Sequence, residues 1–136
     1  LIVFTTDHGP PFPGAKGCLT EAGLRVPLLF SGPALAPAVR DDLVSHLDVF
    51  PTLCDLLDLT PPPGLRGHSL APALRGGKAP HRHWLFAETS FHAAYEPQRA
   101  VISRDGIRAW RFHPHPLRLP ANMDDSPSKD WCHSHS

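Results

Sequence analysis

The sequence predicts an α/β fold that continues into a small antiparallel β subdomain. Residues 1–6 form a continuous apolar and β-branched run, which is typical of a strand buried on both faces of a parallel sheet covered by helices. Residues 48–58 show the spacing of an amphipathic helix, whereas residues 84–112 show strand patterns alone. A mixed segment followed by strands favours an antiparallel subdomain packed beside the main sheet.

Size and composition fit one modest globular unit. The chain has 136 residues, 41% of them hydrophobic, and its 13 basic and 13 acidic side chains balance. The chain therefore lacks the excess of positive charge that is typical of nucleic-acid binders. No apolar run approaches the ~20 residues that span a bilayer. We therefore expect neither nucleic acid nor a membrane as a partner. Because the chain starts inside an apolar run and without Met, we also expect a fragment of a longer protein.

Turn residues separate the elements of the first half. The strand at residues 1–6 stops at a Gly/Pro-rich loop, and a second strand is predicted at residues 26–31, with Pro27 near its start. The helix at residues 48–58 has Asp48 as its predicted N-cap. Its predicted buried stripe consists of Phe50, Leu53, Cys54 and Leu57. A short helical turn is predicted at residues 70–74.

The sequence of the second half of the chain predicts strands. One is expected at residues 84–88, and two more, at residues 99–104 and 107–112, flank Asp105-Gly106. This dipeptide is a strong hairpin signal, because a type I′ turn needs positive φ at both central positions. From Pro114 onward no periodicity survives, so residues 114–136 are expected to be irregular, and residues 132–136 are expected to be disordered.

We accordingly divide the chain into three segments. Residues 1–77 would belong to the α/β part, residues 78–113 would start the antiparallel subdomain, and residues 114–136 would form an irregular tail.

The first candidate site is Asp7-His8-Gly9, directly after the first strand. Ligands of open α/β sheets gather beyond the carboxyl ends of the strands, and a carboxylate beside an imidazole there could hold a divalent cation. Gly9 would let the backbone turn sharply behind them. In the alternative interpretation, Asp7 satisfies loop amides and His8 is structural.

The second candidate is Lys16, at the end of the same loop. Its ammonium could swing back over the strand edge, where a point charge would suit an anionic ester group. A solvated loop lysine is the alternative. Glu21 and Arg25 lie four residues apart and are expected to pair on one helical turn, which is a structural role.

Three groups of residues, in this order, resemble the sulfatase family. They are residues 6–9 with 15–17 and 21–29 (TDHG, AKG and EAGLRVPLL), residues 45–53 (SHLDVFPTL), and residues 67–74 (GHSLAPAL). The resemblance covers about residues 1–113. The loop at residues 7–14 looks most like the branch that contains heparan N-sulfatase (sulfamidase), and residues 119–127 look similar to it too.

The resemblance implies a fold and roles for individual residues. The fold would be the C-terminal part of an alkaline-phosphatase-like α/β/α sandwich, here incomplete, followed by the antiparallel subdomain. Asp7 and His8 match ligands of a divalent cation, usually calcium, although many members have Asn where His8 stands and imidazole is a softer ligand. Lys16 matches the residue that binds the sulfate oxygens and stabilises transition-state charge. Arg25, Asp48 and Pro51 match structural positions.

Sulfatases use a formylglycine nucleophile made from Cys or Ser in a C/S-x-P-x-R motif. No serine begins such a motif here, and neither does any of the three cysteines, Cys18, Cys54 and Cys132. We therefore expect the formylglycine only in a segment upstream of this chain, and we expect the chain by itself to be inactive.

The resulting hypothesis is a sulfatase-type hydrolase of sulfate esters or N-sulfates, acting on a sulfated small molecule or glycan. One alternative is a phosphatase or phosphodiesterase of the same superfamily. Another is a non-catalytic remnant that binds carbohydrate through His92, Tyr95 and Arg99, or one that does not fold alone because strand edges are exposed. Family members are often secreted, periplasmic or lysosomal, but the sequence predicts no compartment and no oligomeric state.

Overall fold

The structure is a computed structural model that describes residues 1–80, 82–112 and 122–135. Its secondary structure mixes helices and strands. In chain order the elements are β1 (Ile2–Thr5), α1 (Glu21–Leu24), β2 (Leu28–Ser31), a 3₁₀ turn (His46–Asp48), α2 (Val49–Leu56), α3 (Ala71–Leu74), β3 (Leu85–Phe91), β4 (Tyr95–Ser103), β5 (Gly106–Arg111) and α4 (Pro127–Ser134).

The described strands form two sheets, a two-stranded one in the order β1-β2 and a three-stranded one in the order β3-β4-β5. Contacts group the chain into two compact units. One unit contains residues 1–3 and 29–85, and the other contains residues 4–28 and 86–136. The division into segments 1–77, 78–113 and 114–136 stays a prediction.

The first two strands are confirmed, with shorter bounds than predicted. β2 begins at Leu28 rather than at residue 26, since Pro27 has no N–H to donate to a neighbouring strand. The predicted burial of the first strand on both faces is wrong. Ile2 and Phe4 are 66% and 56% exposed, because among the described residues this sheet has two strands and leaves those side chains uncovered.

The predicted helix at residues 48–58 is present as the 3₁₀ turn and α2, but its cap and buried face differ from the prediction. Ser45 begins the turn in a capping box: its hydroxyl accepts from the Leu47 amide at 3.3 Å, and its own amide donates to Asp48 at 2.8 Å. Asp48 stands at the predicted N-cap position of α2, but its side chain makes no cap hydrogen bond there and instead accepts from the Ser45 amide.

The predicted apolar stripe of α2 is buried only in part: Cys54 is 4% exposed, but the buried residues of α2 also include Pro51 and the polar Thr52. Asp48 and Thr52 are fully buried, whereas Phe50 and Leu57 are 51% and 53% exposed. Thr52 accepts from the Leu70 amide at 2.9 Å, and its hydroxyl donates to the Asp48 carbonyl. Hydrogen bonds to the chain before α3 therefore decide which face is buried, and hydrophobicity alone does not reveal this.

The predicted helical turn at residues 70–74 is confirmed as α3. Ser69 accepts from the Ala71 amide at 3.1 Å, and Gly76, at φ +91°, follows the end of α3. In the same unit, the Asp55 carboxylate accepts from the Ser69 hydroxyl at 2.7 Å and from Arg75 at 3.2 Å. These hydrogen bonds join Asp55 of α2 to Ser69 and Arg75, which flank α3.

The predicted hairpin is confirmed, but its turn lies one residue earlier than Asp105-Gly106. Ser103 pairs with Gly106, which leaves Arg104 and Asp105 as the loop residues. Among the described residues Asp58 is the one non-glycine with positive φ, so the type I′ prediction is wrong. Gly106 has φ of +134° and is the first residue of β5. The Ser103 hydroxyl accepts from the Asp105 amide at 3.1 Å and supports the turn, in which neither loop residue has a positive φ.

The predicted disorder of residues 132–136 is wrong for residues 132–134, which belong to α4 (Pro127–Ser134). The Ser126 side chain accepts from the Lys129 amide at 3.2 Å, and Pro127 occupies the first turn, where its missing N–H matters least. The irregular character predicted for residues 114–121 lies outside the described residues. Within the described ranges, no helix has the length and hydropathy required to cross a bilayer.

Candidate functional site

Two glycines bring the Asp7-His8-Gly9 corner against α1. The Gly9 amide donates to the Gly23 carbonyl at 3.2 Å. A Cβ atom on Gly9 would lie 1.8 Å from the Ala22 carbonyl oxygen, and one on Gly23 would lie 2.1 Å from that of Cys18. The backbone of residues 7–9 thus lies so close to that of residues 21–23 that no side chain would fit between them.

The His8 ring is oriented by the corner itself. Its Nδ1 lies 2.6 Å from the Gly9 carbonyl oxygen, and a carbonyl can only accept, so Nδ1 carries the hydrogen. Nε2 lies on the other side, 3.6 Å from an oxygen of Asp7, whose side chain is 90% exposed. In the neutral ring this leaves the Nε2 lone pair beside the carboxylate, as in a metal ligand whose second nitrogen is held by a carbonyl.

As a metal site this corner is incomplete. Among residues 1–80, 82–112 and 122–135, no group of three or more His, Cys, Asp or Glu side chains could hold a metal ion. Calcium takes six to eight oxygen ligands. Asp7 and His8 would supply only two ligands, so the described residues alone do not form such a site.

The loop that carries Lys16 is held by its own backbone. The Lys16 amide donates to the Pro10 carbonyl at 3.1 Å, and the Ala15 amide donates to that of Phe12 at 3.1 Å. Ala15 is buried, with 4% exposure. The backbone of Lys16 is thereby fixed, while its side chain, 30% exposed, reaches out to a carboxylate.

That carboxylate belongs to Asp124, just before α4. Lys16 Nζ donates to Asp124 Oδ2 at 2.8 Å, and the Asp124 side chain is 41% exposed. The hydrogen bond from Lys16 lowers the pKa of the Asp124 carboxyl, and positive charge on Lys16, His8 and His92 lowers it further. The Lys16 ammonium therefore already holds one anionic group in this structure.

Asp124 is held in place by Asn122, which is 6% exposed. The Asn122 side-chain oxygen accepts from the amides of Ala93 and Ala94 at 3.0 and 2.8 Å. Its nitrogen donates to Glu96 Oε2 at 2.8 Å. Asn122, two residues before Asp124, is thus anchored to the β3–β4 loop and to the start of β4.

Sequence reasoning missed both Asn122 and Asp124, because they lie in a segment without periodicity that was expected to be irregular. One signal was available. Both residues lie within residues 119–127, a stretch that resembles the sulfamidase branch, and such a resemblance is not expected of an irregular tail.

An open cleft of about 400 Å³ lies between the Lys16 loop and α4. Phe12 and Pro13 line one side of it, and Pro127, Ser128, Trp131 and Cys132 line the other. Phe12 and Trp131 are 59% and 62% exposed. The Lys16–Asp124 ion pair links the same two chain segments.

The other residues singled out in the sequence have separate contacts. Arg25 donates to Glu21 at 2.7 Å, which confirms the predicted pair. Arg99 is engaged by Glu88 at 3.0 Å and by the Thr89 carbonyl at 3.1 Å. A carbohydrate-binding surface formed by His92, Tyr95 and Arg99 stays a prediction.

Comparison with known proteins points to one family. The family model described as Sulfatase matches residues 1–59, which include Asp7, His8 and Lys16. Arylsulfatase A of Bos taurus is 33% identical over 150 residues, covering 98% of this chain and 28% of that protein. The Delta 4,5-hexuronate-2-O-sulfatase of Bacteroides thetaiotaomicron is 31% identical over 105 residues, covering 71% of this chain and 22% of that protein.

The fold agrees with the sequence relatives. A sulfatase crystal structure from Bacteroides thetaiotaomicron matches with a TM-score of 0.63 and 24% identity, over 98% of this chain and 33% of that one. This likeness confirms the predicted alkaline-phosphatase-like α/β class. The chain spans less than a third of the length of either curated relative, at 28% and 22%, and the likeness to the sulfamidase branch stays a prediction. Family model, relatives and fold agree, and the chain belongs to the sulfatase family.

Proposed function

We propose that this chain forms the sulfate-binding edge of a sulfatase-type hydrolase that acts on sulfate esters or N-sulfates of carbohydrate. The observation that carries the proposal is the Lys16–Asp124 contact, in which the ammonium holds an anionic oxygen at 2.8 Å. The same ammonium could hold an oxygen of a sulfate group with equal geometry. A partly exposed site beside a fixed backbone loop gives a substrate anion access to it.

Lys16 would act by compensating charge. When the S–O or S–N bond of the substrate breaks, negative charge accumulates on the sulfate oxygens and on the leaving group. A positioned ammonium stabilises that charge without having to reorganise. Its loop is closed by backbone hydrogen bonds at Ala15 and Lys16, which limits the movement of the lysine Cα.

Asp7 and His8 would supply two ligands of a divalent cation, with calcium the expected ion. The Gly9 carbonyl keeps the hydrogen of His8 on Nδ1 and leaves Nε2 toward Asp7. When bound, such a cation polarises sulfate oxygens as a Lewis acid. The other ligands would be water or groups outside the described residues.

Carbohydrate is the proposed substrate class for two reasons. One relative, at 31% identity, is by its name a hexuronate sulfatase. The loop at residues 7–14 resembles the N-sulfatase branch, which brings N-sulfates into the proposal beside sulfate esters.

Binding of inorganic sulfate to the chain tests the proposal. The ammonium signals of ¹⁵N-labelled lysine would be followed by NMR while sulfate is added. We expect the Lys16 signal to shift and Lys16→Gln to abolish the binding detected by calorimetry. Lys78→Gln, the same charge change at an exposed lysine in the other unit, should leave sulfate affinity unchanged. Equal losses in both variants would show a general charge effect and contradict the proposal.

A further inference from the structure

We infer that Asp124 is a built-in competitor for the sulfate-binding ammonium, so that a substrate anion must displace its carboxylate from Lys16. This inference rests on the proposed function of Lys16. It assigns a role in substrate affinity to residues 122–125, a segment that lies beyond the part of the chain matched by the family model, residues 1–59.

The contact itself is the first argument. Asp124 Oδ2 lies 2.8 Å from Lys16 Nζ, where an oxygen of a bound sulfate would have to lie to make the same hydrogen bond. A second anion that approached while the carboxylate stayed would be repelled by it, because like charges at contact distance oppose each other's binding. Occupation by Asp124 and occupation by sulfate are therefore alternatives.

The second argument is that Asp124 is delivered to Lys16 by a built anchor. Asn122, two residues earlier, is 6% exposed and makes hydrogen bonds of 2.8 to 3.0 Å to Ala93, Ala94 and Glu96. On the other side of Asp124, Lys129 donates to the Met123 carbonyl at 3.3 Å. A carboxylate tethered in this way has a high effective concentration at Lys16, unlike a carboxylate on an unanchored tail.

The third argument is that the carboxylate can leave. Its side chain is 41% exposed and that of Lys16 is 30% exposed, and pairs of this exposure are weak because water solvates the separated charges. A sulfate anion can therefore displace the carboxylate from Lys16. Asp124 thereby lowers the affinity of the site for anions. It favours anions that make further contacts in addition to the one with the Lys16 ammonium.

The test is calorimetric titration of the 136-residue chain with inorganic sulfate, using variants that separate charge from tether. Asp124→Asn keeps the shape and removes the charge, and we expect it to tighten sulfate binding by about two- to five-fold. Asp124→Glu keeps the charge and should bind sulfate within about two-fold of the natural chain. Asn122→Ala keeps the carboxylate but loosens its tether, and it should also tighten sulfate binding.

Asp125→Asn is the matched control. It makes the same charge change one residue away, at a carboxylate that pairs with Lys129 at 2.7 Å and not with Lys16, so sulfate affinity should stay unchanged. If Asp124→Asn and Asp125→Asn tighten sulfate binding equally, the effect comes from net charge alone and the inference is overturned. Weaker sulfate binding in Asp124→Asn would also overturn it, because the carboxylate would then support Lys16 rather than compete for it.

The two proposals fail separately. If Lys16→Gln binds sulfate as well as the natural chain does, the proposed function of Lys16 is wrong. If Lys16→Gln loses sulfate while Asp124→Asn leaves the affinity unchanged, Lys16 keeps its role and only the competition by Asp124 is refuted. Two-dimensional NMR spectra with unchanged dispersion would show that each variant is folded.

Discussion

Asp48 and Arg82 form a two-pronged ion pair in the interior of their unit. Arg82 Nη2 donates to Asp48 Oδ1 at 2.6 Å, and Nη1 donates to Oδ2. The Asp48 side chain is fully buried and that of Arg82 is 14% exposed. The amides of Ser45 and His68 also donate to this carboxylate, each at 2.8 Å. One side chain thus joins the start of α2 to two distant parts of the chain.

Replacing Asp48 should therefore be among the most damaging changes in the chain. Asp48→Ala would leave the Arg82 charge and two amides without their acceptor, and loss of one partner from a buried pair costs about 3–5 kcal/mol. We expect a free energy of unfolding lower by about that amount, measured by urea denaturation. Arg66→Gln, at an exposed arginine, is the control and should change stability by no more than about 0.5 kcal/mol. A loss in Asp48→Ala no larger than that of the control would show that the pair does not hold this unit together.

The same carboxylate predicts how stability depends on pH. Burial raises the pKa of Asp48, but hydrogen bonds from Arg82, His68 and Ser45 and the charge of Arg82 outweigh burial, so the pKa lies below its ordinary value of 3.8. Since the unfolded chain takes up this proton first, the contribution of Asp48 is fully present above 3.8 and is lost as pH falls toward the lowered pKa.

Urea denaturation at about pH 5 and about pH 3 should show this loss of stability in the natural chain. Asp48→Asn cannot ionise, so its stability should be lower at the higher pH and should fall less on acidification. Asp55 contributes in the same direction, since the hydrogen bond from Ser69 and the nearby Arg75 lower its pKa, and this part should survive in Asp48→Asn. An unchanged acid slope in Asp48→Asn would refute the assignment.

Gly9 is the residue on which the geometry of the Asp7-His8 corner depends. A Cβ atom there would lie 1.8 Å from the Ala22 carbonyl oxygen, so Gly9→Ala must push the corner away from α1. We expect a loss of about 1–3 kcal/mol of stability, as for other overpacked positions, together with NMR shift changes at His8. Gly32→Ala is the control, because its nearest neighbour would be a Leu1 side-chain atom at 3.5 Å. If both variants are equally stable, the close approach does not constrain the corner.

The sequence predicted those features that depend on local patterns or on a multi-part signature. The strands, α3, the Glu21–Arg25 pair and the hairpin follow from periodicity and spacing. The roles of Asp7, His8 and Lys16 stay predictions from a resemblance whose glycines the structure explains. The polar face of α2 was not predictable in this way, because the partners of Asp48 include an arginine 34 residues away. Asp124 was missed for the same reason, since its partner Lys16 lies 108 residues away.

Metal binding should be weak and should depend on Asp7. With two ligands from the described residues, we expect calcium to bind no more tightly than extracellular modules do, at about 10⁻⁴–10⁻³ M. Asp7→Asn should weaken calcium binding in a calorimetric titration, whereas Asp41→Asn, at another exposed aspartate, should leave it unchanged.

The nature of the second ligand gives a sharper version of this experiment. His8→Asn replaces an imidazole with an amide oxygen, which calcium prefers and zinc does not. Zinc affinity should therefore fall while calcium affinity stays equal or rises. If both affinities stay unchanged in His8→Asn and in Asp7→Asn, the corner does not bind metal in this chain.

The chain by itself should bind sulfate without hydrolysing sulfate esters. Lys16 can compensate charge, but no Cys or Ser among the 136 residues begins a C/S-x-P-x-R motif from which a formylglycine nucleophile could form. With p-nitrophenyl sulfate we therefore expect turnover no greater than that of buffer, with or without calcium. The same assay with p-nitrophenyl phosphate addresses the phosphatase alternative. Turnover of either ester that disappears in Lys16→Gln but persists in Lys78→Gln would contradict the expectation, because a nucleophile would then have to exist within this chain.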